Sequence, residues 1–442
     1  MSNVTVHSLS YTEDLISRYH ALSDLPGFVL LESSDKIRGR YDIVSACPYD
    51  EFKIQHDYSE INRVFEQIQN RLPSISTTLD LPFQGGAIGY FSYDLGAKLF
   101  GIQSSLHPLL ADMPMVDLRF YDWAIIADHK TKQVHLITAN LKPETASILK
   151  EIQARWHQQP VFPQPFTLLQ SLTPLLSKEN YQQAFQAIHQ ALTQGRAYQV
   201  NYTQPFLAHY SGDTWGMYRL IHKRNPVPFS AFLRLDNADI LSFSPERFLL
   251  LNNKHLLASP IKGSAKRSND AVIDDQCQKM LLSCPKNRAE NIMIVDLLRN
   301  DLGKIAVPGS VKVNSLCELQ SFNAVHHLVS HIKAHCLADV RPLEAFAACF
   351  PGGSITGAPK REAMRIIAEQ EPFARGVYCG SIGYFSLHGR FDTNIAIRTA
   401  VAKNGFLYLP VGGGIVIDST CEEEYLECYT KIKAIMNNLV TC

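Results

Sequence analysis

Strand-like segments succeed one another along the chain at 198–209, 229–235, 238–251 and 254–262, and again at 376–387, 391–402 and 405–411. Several are separated only by short polar breaks, and strands joined by few residues pair antiparallel. No alternating strand–helix rhythm and no Gly-x-Gly-x-x-Gly turn occur, which disfavours a doubly wound nucleotide-binding sheet. Residues 26–49 and 83–140 also read as strands and turns, with Gly85 to Phe91 having the glycines and aromatics of a bent strand. Apolar positions spaced three and four apart predict helices at 60–72, 143–156, 178–195, 285–302, 322–336, 342–349, 359–369 and 420–438. The fold class predicted is α+β, antiparallel sheet with its helices grouped apart. Three prolines within 160–166 mark an extended connector. They suggest an N-terminal region 1–156, a connector 157–176 and a larger region 177–442.

Charge narrows the partners. Lys plus Arg and Asp plus Glu are both 42, so the net charge is zero and no bulk field draws the protein to nucleic acid or anionic membrane. Any anionic substrate must be held by a local cluster of cations and backbone N–H groups. No apolar run reaches the roughly 18 residues of a membrane span. The polar start, Met1 to Glu13, is unlike a secretory signal. Ten scattered cysteines without a Cys-x-x-Cys pair read as reduced thiols of a cytosolic protein and disfavour structural zinc.

Several motifs each admit two readings. Phe350-Pro-Gly-Gly-Ser-Ile-Thr-Gly-Ala-Pro-Lys360 sets glycines and hydroxyls just before a helix. It is either a tight turn or a cradle of N–H groups for an anion, but not a P-loop. Leu409 to Val416 contains three consecutive glycines, which suit close approach of backbone to a ligand or, equally, a bulge or hairpin. Glu424, Glu427 and Lys431 share one helical face, which is either a solvated surface or a pair of carboxylates aimed at a hard cation. Glu290 precedes an apolar helical run and is either an N-terminal helix charge or a further ligand. His326 and His327 sit in an apolar segment predicted helical. Arg398 is an isolated cation in an apolar strand, and its partner is either a protein or a substrate carboxylate. Lys262 closes the strand-like run 254–261 in Ser-Pro-Ile-Lys-Gly-Ser (259–264). A lysine becomes a nucleophile only when desolvation or a neighbouring cation frees its amine.

Together these stretches resemble the chorismate-utilising family that includes anthranilate synthase component I, aminodeoxychorismate synthase component I, and the isochorismate and salicylate synthases. The resemblance spans nearly the whole chain. It is carried by Arg288 to Asp301, Phe350 to Lys360, Tyr378 to Tyr384 and Gly412 to Asp418, with Leu30 to Ser33 and Gly39 to Asp42 in the N-terminal part. It implies two large antiparallel sheets packed face to face with flanking helices, and a chorismate site in the later segment. It further implies Mg²⁺ as cofactor, held by Glu290 and Glu427 with Glu424 behind them. Arg398, Tyr378, Lys431 and the Gly412-Gly413 backbone would hold the enolpyruvyl carboxylate, with polar contacts from Ser354 and Thr356. His327 would lie against the substrate. The family often has a carboxylate where this chain has Asn287.

Within the family, anthranilate synthases carry Ala where Lys262 stands, and the aminodeoxychorismate branch carries Lys. The resemblance therefore implies attack of Lys262 on C2 of chorismate, departure of the C4 hydroxyl, and amination at C4 to 4-amino-4-deoxychorismate, toward 4-aminobenzoate and folate. Glu246, in Ser244-Pro-Glu-Arg247, matches the family's acid/base carboxylate. Gln199 stands near the water-activating lysine of the hydrating relatives and cannot serve as that base. No glutaminase signature is present, so a separate glutamine amidotransferase subunit is implied as ammonia source. Leu31, Ser33, Pro228 and Phe229 match the place where relatives hold tryptophan. Two rival readings remain: anthranilate synthase component I, and a non-catalytic paralogue that only binds chorismate or tryptophan.

Overall fold

A computed structural model describes residues 4–36, 38–158, 165–322 and 325–436. Among these, the strands form one 13-stranded and one 10-stranded sheet, and every pairing is antiparallel. Each sheet mixes early and late chain. Val29–Glu32 pairs with Phe229–Arg234 in the first, and Gly86–Phe91 with Ser381–Ser386 in the second. Residues 159–164 of the proline-rich connector lie outside the described residues.

The sheets pack face to face, as the alternation of side chains shows. Along Trp123–Asp128, Ala124 and Ile126 enter a core shared with Ile88, Tyr90 and Tyr384 of the other sheet. Trp123, Ile125 and Ala127 point the opposite way, into a core with Trp156, Tyr181, Ile188 and Trp215 of helices outside the first sheet. The outer face of the second sheet likewise packs Leu118 and Phe120 against Ile294, Leu298 and Phe346 of its own helices. Period-two burial thus places each sheet between the other sheet and a helical layer.

The helix predicted at 322–336 is a strand, Val325–His335, paired with Ile261–Lys266, His255–Ser259 and Lys312–Ser321. Leu328, Ser330, Ile332 and Ala334 are buried at spacing two, a strand signal that the adjacent histidines obscured. Residues 323 and 324 of that prediction lie outside the described residues, as do 437 and 438 of the last helix, which is seen as Cys421–Met436. Among the described residues, four α-helices were not anticipated: Leu15–His20, Tyr93–Leu99, Thr214–Arg224 and Ala271–Ser283. The segments 238–251 and 391–402 are each two strands, Asp239–Ser244 with Arg247–Asn252 and Phe391–Asn394 with Thr399–Lys403. In both cases the two strands belong to different sheets.

Candidate active site

Those two sheet-to-sheet crossovers run side by side. Pro245 has no N–H to give a ladder, so the chain leaves the first sheet there. The Ser244 hydroxyl donates to Ile395 O at 2.6 Å, and Ile395 N donates to Glu246 O at 3.0 Å. Phe243 N donates to Arg398 O at 3.0 Å. Arg398 has φ +52°, the left-handed region that costs a non-glycine residue about 1 kcal/mol or more. That conformation breaks the strand and turns the guanidinium into the opening between the sheets.

The opening is a cavity of ≈ 460 Å³. Its walls include Glu246 and Arg398 from the crossovers, Lys262 from the edge strand Ile261–Lys266, and His327 from the neighbouring strand. Glu290 reaches it from the helix Pro285–Gly303, Ser354 from the loop before Lys360–Gln370, and Glu424, Glu427 and Lys431 from Cys421–Met436. Tyr378 and Gly412 also line it, as foreseen. The last helix can serve both sides because Cys428, Ile432 and Ile435 face the core while the charged residues face the cavity. Within the cavity, the Ser354 hydroxyl donates to Glu246 Oε1 at 2.7 Å. The Lys262 ammonium donates to Ser354 O at 3.0 Å. Lys431 Nζ lies 2.7 Å from both Glu427 Oε1 and Gly412 O.

Residues 27–437 match the family described as chorismate binding enzyme. The chain belongs to the chorismate-binding enzyme family. It is 40% identical to aminodeoxychorismate synthase component 1 of Salmonella typhimurium, over 98% of each chain. It is 41% identical to the protein of that name from Escherichia coli, again over 98% of each. In fold it resembles the crystal structure of anthranilate synthase component I from Streptococcus pneumoniae, with TM-score 0.79, 28% identity, and coverage of 97% of this chain and 99% of that one.

The cavity of this chorismate-binding chain is electrostatically uneven. Burial pushes the Glu246 carboxyl up to about 7, against the Ser354 hydrogen bond and the charge of Lys262. Burial, with a contribution from Glu427, also raises Glu290. Burial would raise Glu427 too, but the ammonium groups of Lys431, Lys262 and Lys286 together outweigh it and hold this carboxylate below its usual range. Burial and the Arg398 charge pull His327 down to about 3, so its imidazole is neutral at physiological pH. Its Nδ1 is buried without a hydrogen-bond partner. The two readings of Arg398 are now separable: among the described residues no carboxylate pairs with its guanidinium, whose pKa is lowered by burial. This half-buried cation, open to the cavity, is available to a ligand's anion. Lys262, in contrast, faces carboxylates: its charge acts on Glu246, Glu290 and Glu427.

Two foreseen residues do not line the cavity. Thr356 is fully buried and its hydroxyl donates to Gly352 O at 3.0 Å, so it shapes the loop and does not face a ligand. Gly413 lies behind the acidic helix, where a Cβ would stand 3.0 Å from Glu424 Oε2. The glycine run is no hairpin. It continues the strand Phe406–Val416 past Gln199–Ser211, where a Cβ on Gly412 would lie 2.1 Å from Tyr202 O. Lys286 lines the cavity and was missed, although it precedes Glu290 by four residues and so shares its helical face. Asn287 also lines it, packed under Gly263. Leu31, Ser33, Pro228 and Phe229 meet in a second cavity of ≈ 240 Å³, which also includes Arg247, the residue after Glu246. Among the described residues no helix is long and apolar enough to cross a membrane.

Proposed function

We propose that this chain aminates chorismate at C4, forming 4-amino-4-deoxychorismate with ammonia from a separate glutaminase component. The observation that carries the reading is Lys262, a primary amine on the wall of a cavity whose other cations suit a dicarboxylate substrate. Arg398 binds the enolpyruvyl carboxylate, and His327, neutral, packs against the ring. The free amine of Lys262 attacks C2 as both ring double bonds shift, C1=C2 to C1=C6 and C5=C6 to C4=C5, and the C4–O bond breaks. Protonated Glu246 gives its proton to the departing hydroxyl, which leaves as water. Ammonia then attacks C4, both double bonds shift back, and the C2–N bond to Lys262 breaks. Glu246, now a carboxylate, accepts the proton lost by the new amine. Chorismate and ammonia thus become aminodeoxychorismate and water, and the enzyme is regenerated. The relatives' designation as component 1 supports a partner component.

The carboxylates also suit Mg²⁺, which takes oxygen ligands and is commonly held by one or two carboxylates with substrate and water. Among the described residues no three of His, Cys, Asp and Glu stand close enough to hold a metal unaided. Glu290 and Glu427 come from two helices, and Glu424 keeps Oε2 buried without a partner. Glu290 and Glu427 would hold the ion, and the ion would supply positive charge to the substrate's ring carboxylate. Glu427→Gln is expected to raise the Mg²⁺ concentration for half-maximal activity by about tenfold or more. A titration matching wild type would remove Glu427 from the ligand set. Arg398→Gln is expected to weaken chorismate binding about 10–100-fold in calorimetry, the value of a charge-assisted pair; an unchanged Kd would refute its assignment. Tryptophan is the ligand we propose for the second cavity, and calorimetry with wild-type protein tests it.

The function itself is tested by incubating the chain with chorismate, ammonium and Mg²⁺ and resolving products by mass spectrometry. Aminodeoxychorismate supports the reading. Fluorescent anthranilate with pyruvate sinks it in favour of amination at C2, and absence of any product favours a binding protein.

A further inference from the structure

Arg375 lies outside the cavity, 3% exposed, and touches neither Lys262 nor Glu246. Its guanidinium is held by Glu371 through two hydrogen bonds, Nε to Oε2 at 2.9 Å and Nη2 to Oε1 at 2.7 Å. Two of the three remaining N–H donors reach backbone carbonyls, Nη1 to Ile355 O at 2.8 Å and Nη2 to Asn201 O at 2.6 Å. Asn201 and Ile355 are cavity walls from different elements, one in the first sheet and one in the loop before Lys360–Gln370. Glu371 also accepts from Thr203 N at 2.9 Å, and Asp94 accepts from the backbone N–H groups of Arg375 and Gly376 at 3.1 and 3.0 Å. The pair is therefore fixed on every side.

A buried ion pair is weak evidence of a stability device, because packed apolar side chains of similar volume often do as well. What an apolar pair cannot do is hold two carbonyls at set positions. The residue before Ile355 is Ser354, whose hydroxyl bonds Glu246 at 2.7 Å and whose carbonyl accepts from Lys262 at 3.0 Å. We propose that Arg375 is a positioning residue for the reaction: clamped by Glu371, it fixes the Ile355 peptide and so sets Ser354 between the acid and the nucleophile. The inference rests on the chemistry proposed above. A displacement near 1 Å at a reacting group costs about 100-fold in rate. Lysine is a point donor and cannot reproduce the fork.

Arg375→Lys in the full chain, assayed with chorismate, ammonium and Mg²⁺, tests this. The expected result is a kcat lower by about 10–100-fold, with the chorismate KM within about threefold, because Arg398 is untouched. In a Ser354→Ala background the same change is expected to cost clearly less than it does alone, since the hydroxyl link to Glu246 is already lost and only the carbonyl contact with Lys262 remains to be disturbed. An unchanged kcat overturns the proposal, as does a loss confined to KM or full multiplication of the two effects in the double variant. Should Arg375→Lys not fold, Glu371→Gln answers the same question. It keeps the side-chain shape but loosens the clamp, and a lower kcat at constant KM supports the proposal while wild-type kcat overturns it. Wild type run alongside separates the two layers. Activity in wild type with full kcat in Arg375→Lys removes only this inference; a wild type that forms no aminodeoxychorismate removes the proposed function and this with it.

Discussion

Lys262→Ala is expected to lower the rate of aminodeoxychorismate formation by on the order of a thousandfold while leaving a folded protein. The side chain sits on the cavity wall in an edge strand paired on one side only. Its one hydrogen bond among the described residues, to Ser354 O, is worth about 1 kcal/mol, so truncation leaves stability nearly intact. The charge is the complication. Lys262 acts electrostatically on Glu246, Glu290 and Glu427, so its removal perturbs three carboxylates as well as the proposed nucleophile. Lys262→Arg separates the roles, because arginine retains the cation but never supplies a neutral amine. The arginine variant is expected to be as inactive as the alanine one. Recovery of activity in it would mean that Lys262 serves by charge alone. Mass spectrometry of wild type with chorismate and Mg²⁺ but no ammonia is expected to show an adduct on Lys262, absent from both variants.

How much of this was legible in the sequence follows from the range of the interactions involved. The helix Cys421–Met436 and its acidic face were readable because residues three and four apart are neighbours on a helix. The strand Val325–His335 was misread because its histidines sit at adjacent positions, and burial at spacing two shows only once its three partner strands are known. The crossovers at Pro245 and Arg398 were invisible for a different reason. A run such as 391–402 reads as one continuous strand-like segment, and nothing local tells that its two halves belong to different sheets. Yet those crossovers set Glu246 and Arg398 in the cavity. Resemblance to the family supplied the identities of the site residues; only the fold shows that Thr356 turns inward and that, among the described residues, no carboxylate pairs with Arg398. Arg375 illustrates the limit most clearly: it bonds Asn201, 174 residues away in sequence.

Glu246→Gln is expected to lose activity by about 10²–10⁴-fold and, at pH 8, to gain stability. Burial raises the carboxyl from 4.5 to about 7. As the acid for the departing hydroxyl it must be protonated, so kcat/KM of wild type is expected to fall as pH rises through about 7. Free ammonia must be held constant across that range, because its own protonation would otherwise mask the limb. In Glu246→Gln the inflection should be gone, and its persistence would assign the limb to another group. Stability follows the same proton. The folded chain binds it more tightly than the unfolded chain, so this contribution is fully present below pH 4.5 and is lost as pH rises to about 7. The shift corresponds to roughly 3 kcal/mol between those limits. Glutamine has the same shape, can still accept from Ser354, and never ionises. The variant and wild type should therefore unfold alike at pH 4, and the variant should be the more stable at pH 8. Equal stability at both pH values would show that Glu246 is not held neutral by its surroundings. A stabilised but inactive variant would show that the carboxylate is retained for proton transfer at the expense of the fold.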